Sequence, residues 1–525
     1  MVAQLFTALS DARLGSPRRI PDDFLLGAAT AAYQIEGAAF EDGRGPSIWD
    51  TFSREAGAVA AGQTGDVACD HYHRYRDDVA LMKELGLESY RFSVSWARVQ
   101  PDGMHTNRKG MEFYSRLVDE LLGADIKPWL TLYHWDLPQA LEDKGGWPSR
   151  DTAKRFRDYA MEVYGVLGDR VEVWTTLNEP WCSSFLSYTA GEHAPGRQSL
   201  EAGMLASHHL LLGHGLAVEA LRAENASLDL GLTLNLTPAQ PLDPDSPADL
   251  EAAALIDGQT NRWFLDPLFR ASYPTDIVEA FRALDPRAAN KFEDGVRPGD
   301  LESISTPIST LGINYYQGGI VTGSRSLSPE LAERIGFDAL AIPPLSAPET
   351  TRPTSSPLPA SRGFSPDTYL PRTAQQWQID PIMLKHLLLR VHNDYTGPSG
   401  TSIYVTENGM AGNDVLTQTE SGAAVHDPTR EAFLELHLGA ALDARDEGAD
   451  VRGYFYWSFM DNYEWTWGYD MRFGIIYVDY ETQRRIPKDS AKLYSRIIAS
   501  RELNVAPDAG LLVRRGTLLE NVPVI

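Results

Sequence analysis

The chain alternates short apolar runs with longer helical patterns, and this alternation constrains its fold more than any other feature. Eight runs predict strands, at residues 25–29, 89–96, 127–133, 171–177, 230–236, 311–316, 402–406 and 452–457. Most are separated by segments with helical periodicity, such as residues 72–85 and 152–167. Repeated strand–helix units imply a parallel sheet, and eight of them predict an α/β fold, a closed (β/α)8 TIM barrel with long loops on its catalytic face.

The domain organisation follows from the same pattern. A length of 525 residues would allow three or four domains of about 150 residues, but a barrel with long loops holds far more than that. We therefore predict one catalytic barrel over residues 1–525, with its core at about 21–500. Residues 322–376, which follow the sixth predicted strand, are rich in Pro, Ser, Ala and Thr. They form either a disordered surface loop or a partly ordered wall over the site.

Charge and cysteine content exclude several classes of partner. The chain has 72 acidic and 47 basic residues, a net charge of −25, so nucleic acid and anionic membranes are poor partners. No apolar run reaches the length of about 18 residues that spans a bilayer. The N-terminal apolar residues precede the first arginines, which is the reverse of a secretion signal. Two cysteines cannot form a disulfide framework, so we expect a reduced, cytoplasmic protein.

Polar and aromatic clusters fall where the predicted strands end. They are Gln34–Gly37, Tyr133–Asp136, Asn178–Pro180, Asn314–Tyr316, Thr406–Gly409 and Trp457–Trp465. The carboxyl ends of barrel strands form the functional rim, whereas the opposite rim mostly serves stability. The phosphate-loop, nucleophile-elbow and dinucleotide-binding motifs are absent from the sequence.

Two carboxylates on this rim stand out. Glu179 ends the fourth predicted strand and Glu407 ends the seventh. In an eight-stranded closed barrel these positions face each other across the mouth. Glycoside hydrolysis requires two carboxyl groups that flank one bond, one protonated and one ionised.

The surrounding residue types favour a sugar ligand. The tryptophans that accompany the same strand ends are Trp129, Trp135, Trp181, Trp457, Trp465 and Trp467. Flat rings cover the apolar face of a pyranose, while Gln, Asn, His and Glu side chains bind its hydroxyls. Some of these tryptophans must belong to the core, and Trp174, in mid-strand, is predicted to pack there.

At these motifs the sequence closely resembles glycoside hydrolase family 1, the β-glucosidase family. The matching segments are FLLGAATAAYQIEG, YRFSVSW, LYHWDLPQAL, TLNEPW, LGINYY, YVTENG and YWSFMDNYEW, which occur in family order between about residues 24 and 494. The Pro/Ser-rich segment is the main departure. The resemblance implies a retaining β-glycosidase, most of all a β-glucosidase, that acts on terminal β-D-glucosyl residues, with galactosyl or fucosyl residues as further candidates.

The resemblance also implies roles for individual residues. Glu179 would be the acid/base and Glu407 the nucleophile, with Arg91 keeping Glu407 ionised and Tyr316 donating a hydrogen bond to it. The other predicted substrate contacts are Gln34, His134, Trp135, Asn178, Asn314, Trp377, Trp457, Glu464 and Trp465. Within this set, Trp457 would stack beneath the sugar and Trp377 would line the aglycone side. The chemistry needs neither a metal nor an organic cofactor, and we expect none.

Three alternatives stay open at this point. A transglycosylase would use the same covalent intermediate with an alcohol or sugar in place of water. A non-catalytic glycan-binding barrel would be expected to lack one glutamate, yet both are present. A metal enzyme would need ligand spacings that the histidines at 71, 73, 208, 209 and 214 do not match. The presence of Glu179 argues against a thioglucosidase, and Glu464 argues against a 6-phospho-β-glycosidase.

Overall fold

Eight parallel strands form a closed barrel in this protein, whose computed structural model describes residues 17–323, 357–358, 372–420 and 422–504. In chain order the strands are β1 (Leu25–Ala29), β2 (Ser89–Ser93), β3 (Lys127–Tyr133), β4 (Val173–Asn178), β5 (Asp229–Asn235), β6 (Thr310–Asn314), β7 (Ser402–Asn408) and β8 (Val451–Trp457). Each strand pairs with the next in the chain. β8 closes the barrel by pairing with β1, where Gly453 lies opposite Leu25 and Trp457 opposite Ala29. The predicted (β/α)8 fold is therefore confirmed.

The strands are buried on both faces, as parallel strands under helices must be. Every residue of β2 and of β6 is buried. The barrel interior is filled by aromatic rings that meet across the barrel. The ring of Trp129 on β3 lies with its centroid 4.8 Å from Tyr404 on β7 and 5.0 Å from Phe455 on β8. At the level of these rings the interior is thus a packed core.

Helices cover the outside of the barrel. The longer ones are His71–Glu84, Arg108–Gly123, Arg150–Leu167, Leu200–Glu224, Pro247–Asp257, Thr275–Leu284, Pro286–Gly295, Pro381–Val391, Pro428–Asp446 and Asp489–Ser500. Helix Arg150–Leu167 illustrates the periodicity, because its buried side chains recur every three or four residues: Ala153, Phe156, Tyr159, Ala160, Val163 and Leu167. No helix in the described ranges is long and apolar enough to cross a membrane.

Shorter elements occupy the loops. The short helices are Ala32–Ile35, Ile48–Phe52, Ala60–Gly62, Trp96–Val99, Gln139–Glu142, Cys182–Ala190, Gly258–Arg262, Trp263–Arg270, Asp300–Ile304, His392–Thr396, Gly397–Ser399 and Trp465–Trp467. Two-stranded pairs join Arg18–Arg19 to Glu502–Leu503, Ala239–Pro241 to Gly319–Val321, Leu416–Thr419 to Gly422–Val425, and Ile476–Asp479 to Arg484–Pro487.

The predicted strand bounds agree with the structure to within two residues except in one case. The prediction of a strand over 89–96 was wrong at its end, because β2 stops at Ser93. The amide of Ser95 donates to the hydroxyl of Tyr114 at 2.7 Å, and a short helix begins at Trp96. The apolar pattern continues through this turn, so the sequence does not reveal it. Most of the Pro/Ser-rich segment 322–376 lies outside the described residues, which there are 322–323, 357–358 and 372–376.

Candidate active site

The polar side chains of the predicted rim meet at the carboxyl ends of the strands. Glu407 is the sixth residue of β7 and is paired in register with Asn314, the last residue of β6. Asn314 is paired in turn with Asn235 at the end of β5. Glu179 directly follows β4, and its backbone amide donates to the carbonyl of Thr233 at 2.9 Å. The strands therefore bring these groups to one end of the barrel.

Glu407 is held by two hydrogen bonds that favour its charged form. Arg91 Nη1 donates to Glu407 Oε1 at 2.6 Å, and the hydroxyl of Tyr316 donates to Oε2 at 2.6 Å. Both Arg91 and Glu407 are almost fully buried. Burial raises the pKa of Glu407, and the charge of Arg91, followed by the Tyr316 hydrogen bond, opposes that rise. This carboxylate is fixed, desolvated and paired with a cation.

Glu179 has a different environment. Asn314 Nδ2 donates to its Oε1 at 2.6 Å, and the thiol of Cys182 lies 3.1 Å from its Oε2. Both of these partners are uncharged donors. Burial, followed by the negative charge of Glu407, raises the pKa of Glu179 to about 7. Glu179 can therefore hold a proton near neutral pH beside a second carboxylate that has a cationic partner, which is the division between acid and base that a pair of carboxyl groups needs.

Asn178 connects this pair to His134. Arg91 Nη2 donates to Asn178 Oδ1 at 2.6 Å, while Asn178 Nδ2 lies 3.1 Å from His134 Nε2. Because the amide nitrogen can only donate, His134 Nε2 is the acceptor and Nδ1 carries the hydrogen. Burial, followed by the charge of Arg91, lowers the pKa of His134 well below its usual value, so the ring is neutral. The indole of Trp135 donates to the carbonyl of Asn178 at 3.0 Å.

Several buried polar atoms of this site have no hydrogen-bond partner among the described residues. They include His134 Nδ1, Gln34 Oε1 and Glu464 Oε2. Gln34 uses its amide nitrogen to donate to Asn462 Oδ1 at 3.0 Å and to the carbonyl of Tyr463 at 2.8 Å. Buried polar groups are nearly always satisfied. The free donor and acceptors are therefore available to a polar ligand with several hydroxyl groups.

Aromatic rings form the walls. The ring of His134 is stacked against Trp457 and Trp465, at interplanar angles of 19° and 18°. Trp465 also lies with its centroid 4.5 Å from that of Trp135. On another wall Trp377 lies 5.4 Å from Tyr316, the residue that binds Glu407. Flat apolar walls beside unpaired polar atoms suit a sugar ring.

The structure brings all the predicted site residues to one end of the barrel, but one tryptophan that was placed at the strand ends, Trp129, was assigned wrongly. Trp129 lies near the start of β3, about 13 Å of strand from its carboxyl end at about 3.3 Å per residue. It is a core residue. Trp467 does lie in the turn after β8, but it is 47% exposed and so lies outside the buried wall. The sequence analysis did not identify Cys182 as a site residue. Its position three residues after Glu179, just past a strand end, is the signal that could have identified it.

Comparison with known proteins agrees with this geometry. The model of glycosyl hydrolase family 1 matches residues 16–503. A thermostable beta-glucosidase B from Thermobispora bispora is 45% identical over 95% of this chain and 94% of that protein. A bifunctional beta-D-glucosidase/beta-D-fucosidase from Bifidobacterium breve is 45% identical over 91% of this chain and 98% of that protein.

Solved structures of beta-glucosidases also match this chain. The structure of a psychrophilic beta-glucosidase from Micrococcus antarcticus has a TM-score of 0.83 and 48% identity, covering 92% of this chain and 98% of that one. A family 1 beta-glucosidase from Thermotoga maritima in complex with isofagomine lactam has a TM-score of 0.79 and 38% identity, covering 93% and 100%. On the match over nearly its whole length and on the identity of these relatives, the chain belongs to glycosyl hydrolase family 1.

Proposed function

We propose that this protein is a retaining β-glucosidase that hydrolyses terminal, non-reducing β-D-glucosyl residues of small β-glycosides. The observation that carries the proposal is the unequal pair of carboxyl groups, Glu407 bound to Arg91 and Glu179 bound to neutral donors. Relatives named as beta-glucosidases support the glycone, and the Bifidobacterium breve relative extends it to β-D-fucosyl groups. One catalytic barrel domain accounts for the activity, and carbohydrate breakdown is its role.

The first step uses the two carboxyl groups in opposite forms. Glu407 attacks the anomeric carbon, the bond to the leaving oxygen breaks, and Glu179 gives its proton to that oxygen. Arg91 and Tyr316 hold the attacking carboxylate, each through one of its oxygens. A covalent glycosyl-enzyme results.

The second step uses the charge coupling between the same groups. When Glu407 becomes an ester it loses its negative charge, which had helped to raise the pKa of Glu179. Glu179, which gave up its proton in the first step, therefore stays ionised until it takes a proton from water as the water oxygen bonds to the anomeric carbon. The bond to Glu407 breaks, and the sugar leaves with its original configuration.

The binding groups fit an uncharged hexose. His134 Nδ1, Gln34 Oε1 and Glu464 Oε2 supply one donor and two acceptors, and Trp457 and Trp465 supply flat surfaces. Asn178 and Asn314 connect the two carboxylates to these groups, and Trp135 and Trp377 border the cavity. We also assign the protein to the cytoplasm, because both of its cysteines are buried free thiols.

Two variants test the proposal. Glu407→Gly should abolish cleavage of aryl β-glucosides, and added azide should restore turnover and give the inverted glycosyl azide. Glu179→Ala should still cleave substrates with good leaving groups and fail on poor ones. Near-normal activity of Glu407→Gly without azide would contradict the assignment. Product analysis by NMR separates hydrolysis from transfer of the glucosyl group to an added alcohol.

A further inference from the structure

The carboxyl group of Glu179 has a neighbour that the mechanism above does not use, the thiol of Cys182. Its Sγ lies 3.1 Å from Glu179 Oε2, whereas Asn314 occupies Oε1. Asn235 Nδ2, at the end of β5, points at the same sulfur from 3.7 Å. Glu179 and Cys182 are 5% and 6% exposed, so water competes little with these contacts.

The direction of these hydrogen bonds follows from the chemistry of the groups. Burial, and after it the adjacent charge of Glu179, raises the pKa of the Cys182 thiol well above its usual value. The group therefore stays an S–H and donates to the carboxylate. The amide nitrogen of Asn235 can only donate, so the sulfur accepts from it. The result is a chain of donors from Asn235 through Cys182 to Glu179.

The backbone fixes both ends of this contact. Glu179 lies in the left-handed region with φ 50°, which few residues other than glycine adopt. Cys182 begins the helical segment Cys182–Ala190, and Ser187 Oγ donates to its carbonyl at 2.8 Å. The thiol is thereby held on the side of Glu179 opposite to Asn314.

We propose that Cys182, held by Asn235, is a positioning residue that fixes the orientation of the Glu179 carboxyl group and favours its ionised form. The inference rests on the proposed function, in which Glu179 acts first as acid and then as base. The thiol keeps its proton throughout. In the second step the proton of water passes to Glu179 alone, while the S–H bond stabilises the carboxylate before the transfer and keeps its free lone pair directed at the water.

Three variants isolate the hydrogen bond. Cys182→Val removes the donor at similar volume, and Cys182→Ser keeps a donor. Cys69→Ser is the matched control, because Cys69 is also buried and its thiol donates to the carbonyl of Asp461 at 3.1 Å, away from the carboxylate pair. Thermal unfolding of each variant monitors the fold.

We expect Cys182→Val to move the alkaline limb of the kcat/KM profile upward by about 0.5–1 pH unit, because Glu179 without the thiol hydrogen bond keeps its proton to a higher pH. Its kcat on an activated aryl glucoside should fall about fivefold, the effect of one lost hydrogen bond. Cys182→Ser and Cys69→Ser should keep the wild-type profile. A folded Cys182→Val enzyme with the wild-type profile, or a Cys182→Ser enzyme that shifts as far as Cys182→Val, would overturn the proposal.

A second measurement does not depend on activity. Carbon-13 NMR of enzyme labelled at glutamate carboxyl groups, with Glu179→Gln to assign the signal, reports the titration of Glu179 directly. The midpoint should rise by about the same 0.5–1 unit in Cys182→Val. An unchanged midpoint would reject the role of Cys182, whereas a wild-type enzyme inactive on all β-glucosides would count against the proposed function alone.

Discussion

At the scale of single residues, the site is defined by an excess of carboxyl groups over cations. Glu179, Glu407 and Glu464 are all buried, and among the described residues Arg91 is the cation bonded to any of them. Burial, followed by the charges of Glu407 and Glu179, raises the pKa of Glu464 to about 8. Each ionised group raises the pKa of the others, so the site holds protons near neutral pH and titrates as a unit.

This arrangement predicts the pH dependence of the reaction. Cleavage requires Glu179 with its proton, and its pKa is raised to about 7. The value of kcat/KM on an aryl β-glucoside should therefore fall as the pH rises through about 7. It should also fall as the pH is lowered, because Glu407 then takes up a proton. The pH–rate profile of the wild-type enzyme checks both limbs.

A variant assigns the alkaline limb. Glu179→Ala, assayed on a substrate with a very good leaving group, has no acid to lose and should show no limb near pH 7. If the limb persisted in that variant, the titrating group would be Glu464 and not Glu179. Either result tells whether Glu179 or Glu464 is the group that titrates in the alkaline limb.

At the scale of elements, the strand ends and the turns after them carry the site. A Cβ atom at Gly409, two residues beyond Glu407, would lie 1.6 Å from the carbonyl oxygen of Trp457. Only glycine therefore lets the chain after β7 pass so close to the end of β8. This contact brings the nucleophile's turn against the turn that leads to Trp465 and Glu464.

The sequence predicts strands and rim clusters well because both depend on local pattern. An apolar run followed by Thr-Glu-Asn-Gly identifies the end of β7 without any knowledge of its neighbours. The depth of Trp129 in the barrel and the contact of Cys182 with Glu179 depend instead on register and side-chain direction. Register and side-chain direction are set only when the strands assemble. This is why Trp129 was misassigned and the contact of Cys182 with Glu179 was missed.

The turn after β8 predicts discrimination against phosphorylated sugars. Glu464 forms no hydrogen bond with a lysine or arginine of the described ranges, and Gln34 is the side chain that lowers its pKa. A phosphate dianion buried beside this carboxyl would gain no cationic partner from it, and repulsion would add to the cost wherever Glu464 is ionised; an unpaired buried charge costs several kcal/mol. We therefore expect kcat/KM for a β-glucoside to exceed that for its 6-phospho counterpart by about 100-fold or more.

The comparison of the two substrates has its own control. Glu464→Gln removes the ionisable carboxyl group at similar volume, so the ratio of the two kcat/KM values should fall, most of all toward pH 8 where the wild-type Glu464 ionises, even if both values decrease. A wild-type preference for the 6-phospho substrate, or a ratio unaffected by Glu464→Gln, would contradict the prediction.

At the scale of the whole molecule, the seam between β8 and β1 joins the last strand of the barrel to the first. Near the seam, Arg18–Arg19 pairs with Glu502–Leu503, and the amide of Ile20 donates to the carbonyl of Arg501 at 2.8 Å. Gly27 lies in the middle of β1, where an added Cβ would be 2.6 Å from the ring of Phe455 and from the carbonyl oxygen of Ser89. The seam therefore tolerates no side chain at this position.

The same substitution at two glycines tests the seam. Gly27→Ala should lower the free energy of unfolding by about 1–3 kcal/mol, because the backbone of β2 cannot yield to the new methyl group. Gly165→Ala, on the exposed face of helix Arg150–Leu167 with nothing within 4 Å of the new Cβ, should be neutral or stabilising by up to about 1 kcal/mol. Urea unfolding measures the change in the free energy of unfolding for each variant. Equal changes would mean that the barrel closure is not tightly packed around Gly27.

The seam also has a consequence for how the protein is made. One edge of β1 has no partner until β8 has been synthesised, and residues 30–450 lie between them. At about 5–20 residues per second, translation of that stretch takes roughly 20–80 s. An unpaired strand edge can recruit other chains, so nascent polypeptides are exposed to aggregation for this interval. The pocket in which Gln34 binds the carbonyl of Tyr463 is complete only after most of the chain has left the ribosome.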